Sequence, residues 1–144
     1  MNKADILKII ETNNVKYIKL QFSDIDGMMK VVEVPISQIE SVFAGETMFD
    51  GSSIEAWQPI NKSDMLLKPE VGTAFLDPFT ADPTIIVFCD VYDIYKNDLY
   101  ERCPRSIAKK TLKYMEESGV GDDAYFGPEN EFFIFDDVKF VDNI

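Results

Sequence analysis

Two short motifs hold side chains whose types and spacing could do chemistry. The first is Phe49-Asp50-Gly51-Ser52-Ser53, where one carboxylate stands beside two hydroxyls in a run of small residues. Such a loop can bind a cation or polarise a nucleophile. Asp, Gly and Ser are also the residues that ordinary turns prefer, because they tolerate or stabilise tight backbone conformations. On spacing alone, a turn is the better interpretation of this motif.

The second motif places Glu129 and Glu131 two residues apart, directly before the apolar run Phe132–Phe135. Tyr125-Phe126 and Glu131–Phe135 flank Gly127-Pro128 and predict a buried strand. Glu129 and Glu131 are two apart on it, so their carboxylates leave the same face. Two like charges on one buried face are costly unless a cation neutralises them. Ligands that are all oxygen suit Mg²⁺ or Mn²⁺. A strand end that reaches solvent explains the pattern equally well, so both interpretations stay open.

A third pattern matches part of a calcium-binding loop, at Phe22, Asp24, Asp26, Gly27 and Glu33. The first ligand position is Phe instead of Asp, and the flanking sequence predicts strands, whereas such loops lie between helices. Asp26-Gly27 is also a strong hairpin signal, because a type I′ turn needs positive φ at both central residues. The hairpin is therefore the favoured interpretation.

Four basic residues lie along one predicted helix: Arg105, Lys109, Lys110 and Lys113. Such a helix face can bind phosphate, but charge runs of this kind are more often simply solvated. We therefore expect these four side chains to point into water.

The overall composition limits the classes of function. The chain has 144 residues, of which 46% are hydrophobic and 28% charged, and this is typical of a globular protein. Its net charge of −12 repels phosphate backbones and anionic lipid, so nucleic acid and membrane surfaces are poor candidate partners. The absence of histidine from the sequence excludes a self-contained Ser-His-Asp or Cys-His enzyme and a His-ligated zinc site. Two cysteines, no signal peptide and no long apolar run predict a cytoplasmic protein with reduced thiols.

Hydrophobic periodicity and turn residues predict the elements that must position these motifs. Helices are expected at residues 3–13, 36–43 and 104–118, the last of them ending before Gly119. Strands are expected at residues 15–22, 28–34, 65–67, 73–76, 84–91 and 131–135, with loops or linkers at 47–63 and 93–103. This order indicates an α+β fold, in which a domain of about 100 residues is followed by the start of another unit.

Three stretches together resemble the N-terminal part of a bacterial type I glutamine synthetase. The first is residues 49–53 with Trp57 and Ser63-Asp64-Met65, at the spacing of that family. The second comprises Asp77-Pro78-Phe79, Cys89-Asp90 and residues 102–109. The third is residues 126–136, which contain both glutamates. The resemblance covers almost the whole chain, and the first and third stretches are highly specific in combination.

The resemblance implies a β-grasp (ubiquitin-like) domain over residues 1–103 and the start of a catalytic α/β domain over residues 104–144. Members of the family are glutamate–ammonia ligases of nitrogen metabolism. They use ATP to phosphorylate the γ-carboxylate of glutamate, and ammonia then attacks the acyl phosphate to give glutamine. The family therefore also implies ATP as co-substrate, Mg²⁺ or Mn²⁺ as cofactor, glutamate and ammonium as substrates, and a homo-oligomer, which is a dodecamer in full-length members.

Position by position, the resemblance also implies roles for individual residues. Glu131 and Glu129 match two metal ligands, one at each of two divalent-ion sites. Asp50 matches the aspartate thought to bind ammonium and take its proton. In the family, this loop reaches into the active site of a neighbouring subunit, and Ser53 and Trp57 match positions near that shared site. Asp50 and Ser53 are thus the candidate catalytic residues.

The chain departs from the family in three ways. Family members are several hundred residues long, so the remaining metal ligands, the substrate-binding arginines and most nucleotide contacts are expected beyond residue 144. Asn130 stands where the family usually has Pro, and Cys103 replaces a usually acidic residue. We therefore expect this chain to be inactive alone. The alternative is a non-enzymatic β-grasp module that binds a partner or co-assembles with the full-length enzyme.

Overall fold

The computed structural model describes residues 2–141 and combines helices with a curled sheet, which confirms the α+β prediction. The helices are α1 (Lys3–Asn13), α2 (Ile39–Ala44) and α3 (Pro104–Ser118). The strands are β1 (Tyr17–Ser23), β2 (Met29–Pro35), β3 (Thr47–Asp50), β4 (Asp64–Pro69), β5 (Phe75–Leu76), β6 (Thr84–Asp93) and β7 (Asp98–Leu99). Short 3₁₀ helices lie between them at Ile36–Gln38, Gly51–Ser53, Ile60–Lys62 and Val71–Thr73.

The strands pair in the order β2-β1-β6-β4-β3, and β5 and β7 pair with the free edges of β6. β6 is the central strand because its first half pairs in parallel with β1 and its second half pairs antiparallel with β4. Such a strand has neighbours on both sides and is covered by side chains, which suits its β-branched and apolar sequence. Accordingly, all its residues except Phe88 and Tyr92 are buried.

The hydrophobic core lies on one face of this sheet. Ile18, Leu20 and Phe22 alternate along β1 and are each at most 2% exposed, as the period of two residues predicts. Met65 and Leu67 of β4 are fully buried beside them. These side chains place β3 and its C-terminal loop on a well-packed support.

The helix that opens the fold begins and ends as its sequence predicts. Asn2 caps α1, because its side chain accepts a hydrogen bond from the Asp5 amide while the Asp5 carboxylate accepts one from the Asn2 amide. At the other end, Asn14 adopts the left-handed conformation with φ of 49°. Helix α1 then buries Ile6 in the core.

The hairpin between β1 and β2 is confirmed, but its predicted type I′ turn is wrong. The connection is longer, and the Asp24 amide donates to the Met28 carbonyl at 3.0 Å. Only Gly27 has a positive φ, of 81°, within this loop. The reason is the Asp24 side chain, whose Oδ1 accepts hydrogen bonds from the amides of Asp26 and Met28 and so holds a wider loop.

Residues 47–63 are more regular than predicted, because Thr47–Asp50 form β3 on the edge of the sheet. Residues 93–103 likewise include the short strand β7. The bounds predicted for α3 are confirmed, and Gly119 closes it with φ of 67°. None of the helices described within residues 2–141 has the length and apolar character needed to span a membrane.

The strand predicted at residues 131–135 is absent from the structure. Residues 120–141 contain neither helix nor strand, and the side chains of Phe132–Phe135 are between 67% and 87% exposed. The physical reason is the lack of a partner. A strand needs a neighbour for its amides and carbonyls, and no described residue hydrogen-bonds to this segment as one.

Candidate functional site

Asp50 lies at the C-terminal end of β3, opposite Asp64 in the antiparallel pair with β4. Directly after it, the chain leaves the sheet in a 3₁₀ turn, and the Gly51 amide donates to the Ser63 carbonyl at 2.6 Å. Gly51 is buried against Met65, and a Cβ built on it would overlap the Met65 sulfur. Only a residue without a side chain lets the backbone approach Met65 this closely. The contact therefore fixes the point at which the chain leaves the sheet after Asp50.

The Asp50 carboxylate is exposed and held by its own loop. Its Oδ1 accepts hydrogen bonds from the Ser52 hydroxyl at 2.6 Å and from the Ser52 amide at 2.8 Å. The Ser52 hydroxyl, with its amide and the Ser53 donors, holds the pKa of Asp50 below its usual value. Asp50 is therefore ionised at neutral pH and suited to attract a cation, while its low basicity makes it a weak proton acceptor in this state.

The predicted neighbours of Asp50 lie in different environments. Ser53 is exposed at the end of the 3₁₀ turn. Trp57 is buried, with only 4% of its surface exposed. Its ring contacts three aromatic rings, with centroid distances of 5.0 Å to Tyr100, 5.6 Å to Phe22 and 6.3 Å to Phe49. Trp57 thus anchors the loop to the core and does not face solvent beside Asp50.

Glu129 and Glu131 are exposed and lie in the segment that has no strand partner. The expectation that a strand directs both carboxylates to one buried face is therefore wrong for this structure. Within residues 2–141, no group of three or more His, Cys, Asp or Glu side chains lies close enough to hold a metal ion. The two glutamates supply the right oxygen ligands for Mg²⁺ or Mn²⁺, but too few of the six or so that these ions require.

An ionic cluster around the buried residue Asp90 was not predicted from the sequence. Asp90 of β6 accepts a hydrogen bond from Arg105 at 3.2 Å and pairs with Lys109, so two of the four basic residues of α3 are not simply solvated. Glu70 lies 3.6 Å from Lys109 at the edge of the cluster. Arg105 and Lys109 are four residues apart, so they lie on the same face of the helix. This spacing in the sequence could have indicated that they share an acidic partner.

The fold is that of a β-grasp domain joined to a helix, and solved structures share it. A cryo-EM structure of the Plasmodium falciparum glutamine synthetase superposes with a TM-score of 0.70 over 83% of this chain and 23% of that chain, at 23% sequence identity. An apo structure of GmaS superposes with a TM-score of 0.71 over 80% of this chain and 27% of that one, at 17% identity. These likenesses confirm the β-grasp prediction at the level of fold.

Sequence comparison identifies the family. Residues 14–94 match the family model described as the β-grasp domain of glutamine synthetase, and residues 101–143 match that of its catalytic domain. The chain belongs to the glutamine synthetase family. It is 50% identical over 145 aligned positions to the glutamine synthetase of Methylococcus capsulatus, covering all of this chain and 31% of that protein. It is 49% identical to the Haemophilus influenzae glutamine synthetase over 95% of this chain and 29% of that protein. The chain therefore spans about a third of the length of these relatives.

Proposed function

We propose that this chain is the N-terminal third of a glutamine synthetase, whose complete form joins ammonia to glutamate with ATP as co-substrate. Family membership along the whole chain supports the reaction class. The site assignment rests mainly on the Asp50 loop, residues 50–57, in which an ionised, exposed carboxylate stands on a well-packed support. On this proposal, residues 1–103 form the β-grasp domain and residues 104–144 begin the catalytic domain.

Asp50 is proposed to bind ammonium. An ionised carboxylate attracts NH₄⁺, and transfer of one N–H proton to Asp50 would leave neutral NH₃ with a free lone pair as the nucleophile. The hydrogen bonds from Ser52 favour the first step and oppose the second, because they stabilise the unprotonated carboxylate. Proton transfer therefore requires these bonds to weaken once ammonium is bound. Ser53, exposed beside the carboxylate, is a further donor or acceptor for the bound cation.

Glu129 and Glu131 are proposed to be ligands of Mg²⁺ or Mn²⁺ in the complete protein. Their carboxylates have the chemistry that these ions select. When bound, the divalent ions would neutralise the phosphates of ATP during transfer to the glutamate γ-carboxylate. In this chain alone, two exposed carboxylates should bind Mn²⁺ only weakly. A calorimetric titration that gave micromolar affinity, lost in Glu131→Gln, would contradict this part of the proposal.

The assembly is proposed to be a homo-oligomer in the cytoplasm. Asp50 and Ser53 lie on an exposed loop at a sheet edge, where a neighbouring subunit can reach them. The two cysteines, Cys89 and Cys103, are free thiols, which agrees with a reducing compartment.

The proposal can be tested in a chimera that joins this chain to the remaining two thirds of the Methylococcus capsulatus enzyme. Asp50→Ala in this chimera should lower turnover by about 10²–10⁴-fold, the usual contribution of a positioned acid–base group, and should raise the KM for ammonium more than those for ATP or glutamate. Asp26→Asn removes another exposed loop carboxylate and is the matched control. Unchanged turnover and unchanged ammonium dependence in Asp50→Ala would make Asp50 an ordinary turn residue.

The chain by itself should make no glutamine. One loop carboxylate and two glutamates that no neighbouring group orients cannot hold ATP, metal ions and the substrate glutamate together. A biosynthetic assay on the purified chain tests this directly. Glutamine formation that Asp50→Ala abolishes would contradict the expectation.

A further inference from the structure

The tip of the Asp50 loop, at Ala56 and Trp57, is hydrogen-bonded to the connection between β7 and α3, residues 100–103. The Tyr100 hydroxyl donates a buried hydrogen bond of 2.8 Å to the Trp57 carbonyl. Arg102 Nη1 donates to the Ala56 carbonyl at 2.6 Å and lies 3.4 Å from the Trp57 carbonyl. Two consecutive carbonyls of the loop are thus held by two side chains that are more than 40 residues away in sequence.

The backbone at the tip of the loop shows why such ties are needed. Ala56 has a φ of 60°, in the left-handed region that residues with a Cβ rarely adopt. Such a conformation persists only where surrounding contacts determine it. The Arg102 and Tyr100 hydrogen bonds fall on the carbonyls of Ala56 itself and of the next residue. Burial raises the pKa of the Tyr100 hydroxyl, so this group remains a proton donor at neutral pH.

The tip is connected to Asp50 by a short series of contacts. The Trp57 amide donates to the Ile54 carbonyl at 3.2 Å, and the Ile54 amide donates to the Gly51 carbonyl at 3.3 Å. The Trp57 ring also packs against Phe49, the residue before Asp50. A change in the position of Trp57 therefore reaches the turn in which Ser52 holds the Asp50 carboxylate.

We propose that Tyr100 and Arg102 are positioning residues that hold the loop of residues 51–57 and thereby fix the Asp50 carboxylate in its exposed, serine-bonded geometry. Neither residue touches the carboxylate. The proposal rests on the function proposed for Asp50 and adds to it, since the same two residues directly precede α3 and so join the Asp50 loop to the start of that helix. It concerns the geometry of the loop and needs no turnover to be tested.

The test uses three variants of the chain and one matched control. Tyr100→Phe removes a single hydroxyl and keeps the buried ring. Arg102→Met removes the guanidinium from an exposed side chain, so this variant should fold even if the first one does not. The third variant combines the two changes. Tyr95→Phe is the control, because it makes the same chemical change at an exposed tyrosine in the nearby turn between β6 and β7.

Two measurements report on the loop itself. The first is the exchange rate of the Ser52 amide, and the second is the titration midpoint of the Asp50 carboxyl carbon, both followed by NMR. The single tryptophan of the chain, Trp57, adds a fluorescence spectrum that reports directly on the tip. A group that only stabilised the fold would change the unfolding midpoint and leave the Asp50 titration midpoint and the Trp57 spectrum of the native state unchanged.

In each single variant the Ser52 amide should exchange about fivefold faster, which is the effect expected from losing one net hydrogen bond. In the double variant it should exchange more than 25-fold faster, because Arg102 can no longer replace Tyr100 at the Trp57 carbonyl. The pKa of Asp50 should rise towards the usual value of an aspartate, and Trp57 emission should shift to the red. Tyr95→Phe should change none of these signals. An unchanged Ser52 rate and an unchanged Asp50 midpoint in Arg102→Met and in the double variant would overturn the proposal, whatever happens to overall stability.

Discussion

The Asp50 loop and the Glu129–Glu131 segment belong to the same proposed site but differ in how they are held. Asp50 ends a strand whose neighbour, β4, lies in the same chain, and its loop is fixed by a glycine contact, an aromatic cluster and two long-range hydrogen bonds. Glu129 and Glu131 lie in a segment without helix or strand, whose aromatic side chains face solvent. The two regions therefore differ in pairing and packing, although the Glu129–Glu131 segment leads into the more strongly β-forming sequence, Phe132–Phe135.

This difference shows what a functional residue needs besides the right side chain. A carboxylate acquires a defined direction and an altered pKa only when neighbouring backbone and side chains fix it. Ser52 provides this for Asp50, whereas the described residues provide no counterpart for either glutamate. Chemical identity alone therefore does not make Glu129 and Glu131 a metal site.

The largest expected effect comes from removing the support of the loop. Met65 is fully buried in β4 and lies beneath Gly51. Met65→Ala should lower the free energy of unfolding by about 2–5 kcal/mol, because the truncation leaves a cavity in the core. Chemical denaturation followed by Trp57 fluorescence measures this, and a loss below about 1 kcal/mol would show that the loop does not depend on its packing against β4.

A smaller effect is expected at the close contact itself. Gly51→Ala should destabilise the chain by about 1–3 kcal/mol, because the added Cβ must displace the Met65 side chain and crowd the Ser63 carbonyl at 3.2 Å. Gly72→Ala is the matched control, since a Cβ there meets nothing within 4 Å. Equal unfolding midpoints for the two variants would mean that the approach of Gly51 to β4 is not tight.

Much of the fold follows from local sequence. The apolar periodicity of α1 and β1, Gly119 after α3 and the β-branched run of β6 each indicated the right element. The β3 strand was missed because it is short and lies at an edge, where pairing with β4 and not its own sequence pattern makes it a strand. The five-residue width of the β1–β2 loop was missed because it depends on the Asp24 side chain.

The site was predictable only in part, because its geometry depends on contacts distant in sequence. The motif around Asp50 indicated which carboxylate to consider, but the contributions of Tyr100 and Arg102 come from residues more than 40 positions away. The strand predicted around Glu131 failed for the same reason. Its apolar sequence favours a strand, but strand formation requires hydrogen-bonding partners that no local pattern reveals.

An intermediate effect is expected where α3 meets the sheet. Asp90→Asn should cost about 1 kcal/mol, because Arg105 and Lys109 lose their carboxylate partner but can turn towards solvent, with side chains that are 30% and 38% exposed. Glu117→Gln is the control, because its pair with Lys113 is largely exposed. If the two variants were equally stable in thermal melts, the Asp90 cluster would not hold α3 to β6.

The smallest effect is expected in the exposed segment. Phe133 is 85% exposed, so Phe133→Ser should change the free energy of unfolding by less than about 0.5 kcal/mol, in contrast to Met65→Ala. Light scattering should also show that the variant stays monomeric up to a higher protein concentration than the unchanged chain, because the substitution interrupts an exposed apolar run. A loss of stability of 2 kcal/mol or more would mean that this segment packs on the folded region.

The most direct test of the account is residue-resolved amide hydrogen exchange on the chain itself. The amides of β1, β4 and β6, together with Gly51, should be protected by several orders of magnitude, because they donate within the sheet or, for Phe88 and Gly51, to the Thr73 hydroxyl and the Ser63 carbonyl. The amides of residues 122–141 should exchange at nearly the rates of an unfolded peptide. Protection of residues 129–135 comparable to that of β6 would contradict the account, because it would show that the glutamate pair is already held in a paired strand.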